Sequence, residues 1–111
     1  MEIEIKTQAD ITLVELDGDI DANTAPTVQE KVLPIVDSSS KILLNMTKVP
    51  YMSSAGLRTL LSLYRQVSAK DGKLVLVGLT EEIKDTMSIT GFLDFFTTCE
   101  TEAEGLETLN Q

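Results

Sequence analysis

Residues 42–67 read ILLNMTKVPYMSSAGLRTLLSLYRQV, and two periodicities meet in that stretch. Ile42-Leu43-Leu44-Asn45-Met46 is a short, continuous apolar run, the pattern of a central strand covered on both faces. After a polar interval, Leu57, Leu60, Leu61, Tyr64 and Val67 recur at helical spacing until Asp71-Gly72 stops the pattern. A strand buried on both faces followed by an amphipathic helix predicts a parallel sheet with helices packed against it.

Upstream, Ile3 and Ile5, then Ile11 to Leu16, read as two strands of a hairpin around Thr7-Gln8-Ala9-Asp10, with Gly18 ending the second. Asn23-Thr24 can cap a helix that tolerates Pro26 in its first turn and carries Val28, Val32 and Val36 on one face. Pro34 predicts a bend or an end of that helix, and Asp37-Ser38-Ser39-Ser40 a connecting loop. Downstream, Leu74 to Val77 repeats the central-strand pattern, Ile83 and Met87 support a third helix ended by Gly91, and Phe92-Leu93-Asp94-Phe95-Phe96 reads as a last strand. Thr101 and Glu104 form a capping box for a short final helix that carries Ala103, Leu106 and Leu109 or Asn110. The predicted fold class is α/β: a mixed, mostly parallel sheet of about five strands with about four helices, joined by right-handed connections. Residues 1–111 are expected to form one domain, with a core of Leu, Ile and Val because only 5% of residues are aromatic and none is Trp.

Eighteen acidic against nine basic residues give a formal charge of −9, which repels a polyphosphate backbone and argues against nucleic-acid binding. The opening MEIEIK has no basic n-region or apolar h-region, and no run approaches the roughly 18 apolar residues that span a bilayer, so a cytoplasmic location is expected. Cys99 stands alone and reads as a part-buried small hydrophobe. With no His in the chain, hydrolase triads, pH switches and zinc sites lose their usual side chain. No Gly-x-Gly-x-x-Gly follows a strand, and Asp71-Gly72-Lys73 lacks the upstream glycine of a P-loop. The Glu81-Glu82 and Glu102-Glu104 pairs read as first-turn acids of helices rather than an acid–base dyad, and Met87 with Phe92, Phe95 and Phe96 as core. No catalytic residue, metal or cofactor is expected.

The segment most suited to function is Val49 to Arg58, where a central strand ends and a helix begins, because α/β sheets carry their sites at that end of the strands. Either Ser53 or Ser54 can cap the helix, and Ala55 and Gly56 keep its first turn uncluttered. A phosphate there would meet unpaired amide donors and the positive end of the helix dipole. On residue chemistry alone, an N-cap is the ordinary role of such a Ser-Ser pair. Asp21 reads first as a turn or helix-entry residue. Arg58, one turn after Ser54, reads as a solvated cation that can also pair with a phosphate.

Three segments change that balance: Gly18-Asp19-Ile20-Asp21-Ala22-Asn23-Thr24-Ala25, Met52-Ser53-Ser54-Ala55-Gly56-Leu57 and Ser88-Ile89-Thr90-Gly91-Phe92. Together they resemble the signature segments of the bacterial STAS-domain anti-sigma-factor antagonists, with similarity from about residue 3 to about residue 109. That family typically reads Asp-Ser-Ser/Thr-Gly-Leu at the central segment, and the Ser after the Asp is phosphorylated by a serine kinase that doubles as an anti-sigma factor. The resemblance implies Ser54 as acceptor. The family's Asp falls on Ser53, which caps a helix as Asp would but brings no charge, and the second hydroxyl falls on Ala55. Asp21 is implied beside the acceptor, with Asp19 a further neighbour, on a partner-binding surface of Asp21, Asn23, Thr24, Ser53, Ser54, Gly56 and Arg58.

The same resemblance implies a non-enzymatic, phosphorylation-controlled switch. Its partners would be the serine kinase with anti-sigma activity, a PP2C-type phosphatase and, indirectly, a sigma factor. A ligand- or nucleotide-sensing STAS module in another signalling assembly is the alternative, and an enzyme a weaker third.

Overall fold

The structure is a computed structural model and describes residues 1–110. Its elements follow in the order β1 (Glu2–Gln8), β2 (Ile11–Asp17), α1 (Ala25–Ser38), β3 (Lys41–Lys48), α2 (Ser54–Ala69), β4 (Lys73–Val77), α3 (Glu81–Ile89), β5 (Thr97–Cys99) and α4 (Glu102–Leu109). The strands form one sheet in the order β1-β2-β3-β4-β5. β1 runs antiparallel to β2, with Ile5 opposite Val14, and the remaining neighbours are parallel, with Leu43 opposite Leu13 and Val75. The mixed, mostly parallel five-stranded sheet with four helices is therefore the one expected.

Strand alternation divides the apolar residues between two layers. Ile42, Leu44 and Met46 of β3 join Val14, Leu16, Leu74 and Leu76 beneath α1, α2 and α3, which contribute Val28, Val32, Leu60, Leu63, Val67, Ile83 and Met87. Leu43 points to the other face, where Ile11, Leu13, Val75 and Val77 pack on Leu109 of α4. The unbroken run Ile42–Leu44 thus reflects helices on both sides of β3. Gly105 lets α4 lie close, since a Cβ there would be 2.7 Å from Leu43 Cδ1 and 2.8 Å from Val77 Cγ2.

Four expectations about strands, helix bounds and buried faces need correction. First, α1 continues through Pro34 to Ser38, so of the bend or end expected at Pro34 the end is not found, and the connecting loop is Ser39 and Ser40 rather than starting at Asp37. Pro34 and Glu30, one turn back, are both exposed, so the carbonyl that Pro34 leaves without a donor faces water. Second, residues 92–96 are not a strand: Leu93–Phe95 form a single 3-10 turn, and the last strand is the three-residue β5 that follows. Phe92 and Phe96 are half-buried and Phe96 meets Tyr64 edge-on at 5.4 Å, but Phe95 is 51% exposed and not core. Third, the inward face of α2 is carried by Gly56, Leu57, Leu60, Leu63 and Val67, whereas Leu61 and Tyr64 are only half-buried. Fourth, Ala103 is exposed and α4 buries Gly105 and Leu109. Glu81, Glu82, Glu102 and Glu104 are first-turn acids as expected. Cys99 is half-buried, its Sγ 3.6 Å from Thr108 Oγ1.

Candidate functional site

β3 ends at Lys48 and α2 begins at Ser54, so Val49–Ser53 cross the end of the sheet at which the parallel strands finish. Val49 and Met52 are buried and anchor this turn, while Pro50 and Tyr51 face solvent. The segment after β2 runs alongside it. Gly18 N–H donates to Lys48 O at 3.0 Å, Ile20 N–H to Tyr51 O at 3.0 Å, and Ser53 N–H to Ile20 O at 2.9 Å, with Ile20 and Met52 forming a parallel bridge. Two segments some thirty residues apart in sequence are thereby stitched together at backbone level.

Gly56 makes that approach possible. A Cβ on Gly56 would lie 2.7 Å from Ile20 O, 2.9 Å from Ile20 Cγ2 and 2.5 Å from Met52 Cγ, so the first turn of α2 rests directly on the backbone that leads into Asp21. The glycine is required by space, since its φ is not in the left-handed region.

The two serines have separate places. Ser53 is the N-cap, in extended conformation, and its Oγ accepts the Gly56 N–H at 3.4 Å. Ser54 is the first helical residue, exposed, and its hydroxyl has no hydrogen-bond partner among the described residues. The choice left open by the sequence falls to Ser53 for capping, which leaves the Ser54 oxygen free at the positive end of the helix dipole.

Asp21 is half-buried and organises its own loop. Its Oδ1 accepts the N–H groups of Asn23 at 2.9 Å and Thr24 at 3.1 Å, the bonding of an Asx turn. Oδ2 has no partner among the described residues. Thr24 is the N-cap residue of α1, yet its hydroxyl does not cap that helix: it donates to Asp19 O at 2.7 Å and accepts the Asp21 N–H at 2.9 Å. Asn23 is exposed and closes no cap either. The expected Asn23-Thr24 cap is replaced by a loop that ties Asp19, Asp21 and Thr24 together.

Arg58 is exposed on α2, one turn from Ser54, with no ion-pair partner among the described residues. With Ala22, Pro26, Gln29, Ala55 and Ser62 it lines an open groove of about 420 Å³ between α1 and α2. The structure thus gathers Asp21, Asn23, Thr24, Ser53, Ser54, Gly56 and Arg58 at one end of the molecule. Sequence reasoning missed two participants: Ile20, whose backbone joins the segments, and Tyr51, whose exposed ring sits in the same turn. Tyr51 had a readable signal, an aromatic residue in a loop at the functional end of a strand; Ile20 had none.

Among the described residues, no group of three or more His, Cys, Asp or Glu side chains is placed to hold a metal ion, and no helix is long and apolar enough to cross a membrane.

The STAS domain family matches residues 2–105. The chain belongs to the STAS family. Similar proteins include the anti-sigma-B factor antagonist of Staphylococcus aureus strain NCTC 8325, 30% identical over 95 residues that cover 85% of this chain and 88% of the relative. An anti-sigma factor antagonist from Mycobacterium paratuberculosis has the same fold, with a TM-score of 0.89 at 21% identity over 99% of this chain and 94% of that one. The Bacillus cell fate determinant SpoIIAA, solved in its phosphorylated form, superposes with a TM-score of 0.75 at 16% identity over 96% of this chain and 98% of that one.

Proposed function

We propose that this STAS protein is an anti-sigma-factor antagonist, a switch rather than an enzyme, whose unmodified form docks on a serine kinase with anti-sigma activity and is released when Ser54 is phosphorylated. A PP2C-type phosphatase resets it, a sigma factor is the indirect beneficiary, and the cytoplasm is its compartment. The observation that carries this reading is the division of labour at the entrance of α2: Ser53 supplies the cap, so the exposed Ser54 hydroxyl can be modified without undoing the helix. The family membership and the anti-sigma-B factor antagonist from S. aureus support it from outside the geometry. Asp21, Asn23, Thr24 and Arg58 form the surface around the acceptor that a partner reads.

Phosphorylation adds about −1.5 to −2 charges, a small increment on a chain of net charge −9, so the switch acts locally. Two like charges 4 Å apart repel by about 4 kcal/mol at an effective dielectric near 20, and about 1.4 kcal/mol is a factor of ten in affinity. One acidic group of the partner close to Ser54 is enough to separate the two forms.

Incubation with an anti-sigma-type serine kinase and ATP tests the site. Trypsin releases Val49 to Arg58 as one peptide, and its fragment ions separate Ser53 from Ser54. Phosphate on Ser54 supports the reading; phosphate on Ser53 alone overturns the site.

A second reading, a ligand-sensing module, is supported by a cavity of about 430 Å³ at the start of β4, lined by residues that include Tyr64, Leu74, Phe95 and Leu109. It lies at the opposite end of the sheet from Ser54. Ligand-dependent melting that Ser54→Ala leaves unchanged would favour this reading.

A further inference from the structure

β1 is an edge strand with one side unpaired. Its residues are exposed throughout except for Ile3, which packs partly on the helix-covered core, and Ile5 is left 46% exposed. Seven residues of open edge with an apolar residue at the centre form a surface that another strand can extend. The side chains alternate, with Ile3, Ile5 and Thr7 on the helix-covered face and Glu2, Glu4, Lys6 and Gln8 on the other.

The occupant follows from the charges. In an antiparallel pairing of β1 with a second β1, one register engages the whole strand: Ile5 opposite Ile5, Glu4 opposite Lys6, Ile3 opposite Thr7 and Glu2 opposite Gln8. Residues of like parity then face each other, so outward-pointing N–H and C=O groups meet their counterparts. By symmetry the Glu4–Lys6 pair occurs twice. Moving the register by one pair in either direction sets Glu4 against Glu4 or Lys6 against Lys6, a like-charge contact on the dyad. Within one chain Glu4 is opposite Glu15, and Lys6, opposite Leu13, has no acidic partner among the described residues. Lys48, whose hydrogen bond goes to Glu15, acts on Glu4 only through its field, so a second copy supplies Glu4 with a directly facing cation and Lys6 with a carboxylate.

We propose that the free edge of β1 is a self-association surface, on which a second copy of this chain pairs antiparallel about Ile5 to form a continuous ten-stranded sheet. Ser54 follows β3, two strands away and roughly 10 Å from this edge, so pairing leaves the switch end uncovered. An edge-to-edge interface is small, at the weak end of specific contacts, and the two molecules carry a charge of −9 each, so the dimer is reversible and is measured at physiological salt.

Sedimentation equilibrium from micromolar to millimolar protein tests the proposal. The wild-type chain is expected to show a monomer–dimer equilibrium. Lys6→Glu places carboxylates opposite each other twice and is expected to weaken the dimer about tenfold or more, and the charge swap Glu4→Lys with Lys6→Glu to restore it. Melting curves of all variants report whether each is folded. As a second measurement, in a Cys99→Ser background, Ile5→Cys is expected to form a disulfide-linked dimer under mild oxidation, because antiparallel partners have Cα atoms about 4.5–5.5 Å apart, within disulfide range. Thr7→Cys, far from its own symmetry mate in this register, is not. A chain that stays monomeric at millimolar concentration overturns the proposal. So does a dimer indifferent to Lys6→Glu, one that the charge swap fails to restore, or equal cross-linking of Ile5→Cys and Thr7→Cys.

Discussion

Replacing Gly56 by Ala isolates the contact that fixes the switch loop to the helix. A methyl group at this position meets Ile20 O at 2.7 Å and Ile20 Cγ2 at 2.9 Å, and the backbone oxygen cannot swing away as a side chain would. Relief requires the loop to move off α2, which stretches the 2.9 Å bond from Ser53 N–H to Ile20 O. Overpacking a filled site costs about 1–3 kcal/mol and an unmade bond in a covered position about 1–3 kcal/mol, while Ala gains about 1 kcal/mol over Gly inside a helix. The two penalties overlap, since one movement causes both, and the net loss is about 2–3 kcal/mol. That corresponds to a fall in Tm of roughly 10 °C for a chain of this size. Urea denaturation with an unchanged slope is the assay, with Gly105→Ala as the comparison, because its new methyl meets only the side-chain ends Leu43 Cδ1 and Val77 Cγ2 as its tightest contacts. Gly56→Ala is expected to be the more damaging of the two and to weaken partner docking even at temperatures where the protein stays folded. Wild-type stability in Gly56→Ala would refute the close approach of α2 to Ile20.

The neighbouring serines are predicted to separate in a stability assay: Ser53→Ala loses the cap and costs about 0.5–2 kcal/mol, whereas Ser54→Ala stays within about 0.5 kcal/mol of wild type. Leu63→Ala, on the buried face of α2, should cost about 2–5 kcal/mol by chemical denaturation, and Leu61→Ala, half-exposed, clearly less. Two exposed ion pairs set opposite pH dependences. Asp10 is held below its ordinary value chiefly by the hydrogen bond from Lys41, so its contribution is present above that ordinary value and fades as pH falls through the lower folded-state one. Lys84 is raised, first by its hydrogen bond to Glu100, so its contribution is complete below the ordinary lysine value and fades as pH rises through the folded-state one. Asp10→Asn should flatten the acid limb of a stability–pH profile, and Lys84→Met the alkaline limb.

The sheet and its helices were legible because burial on both sides leaves a mark that loops do not. Ile42–Leu44 had to be apolar throughout once α2 and α4 covered opposite faces of β3. The aromatic run at residues 92–96 misled because Phe92, Phe95 and Phe96 satisfy a helical spacing as well as a strand composition; the chain takes the turn and places Phe96 against Tyr64. β5, with three residues of which two are exposed, is too short to carry any periodicity. At Pro34 the sequence predicts a bend or an end and does not show that this face of α1 looks outward, where the helix continues to Ser38. At the candidate site, the residue types and the strand–loop–helix setting were readable. Which serine caps, and the joining of the two segments through Ile20 and Gly56, are properties of three-dimensional backbone proximity that no local pattern records.

The most direct test of the switch compares the affinity of the unmodified and the stoichiometrically Ser54-phosphorylated chain for the same anti-sigma-type serine kinase by calorimetric titration. Repulsion at close range predicts that the phosphorylated form binds at least tenfold more weakly while melting at or above the temperature of the unmodified form. Equal affinity of the two forms would contradict a switch at Ser54.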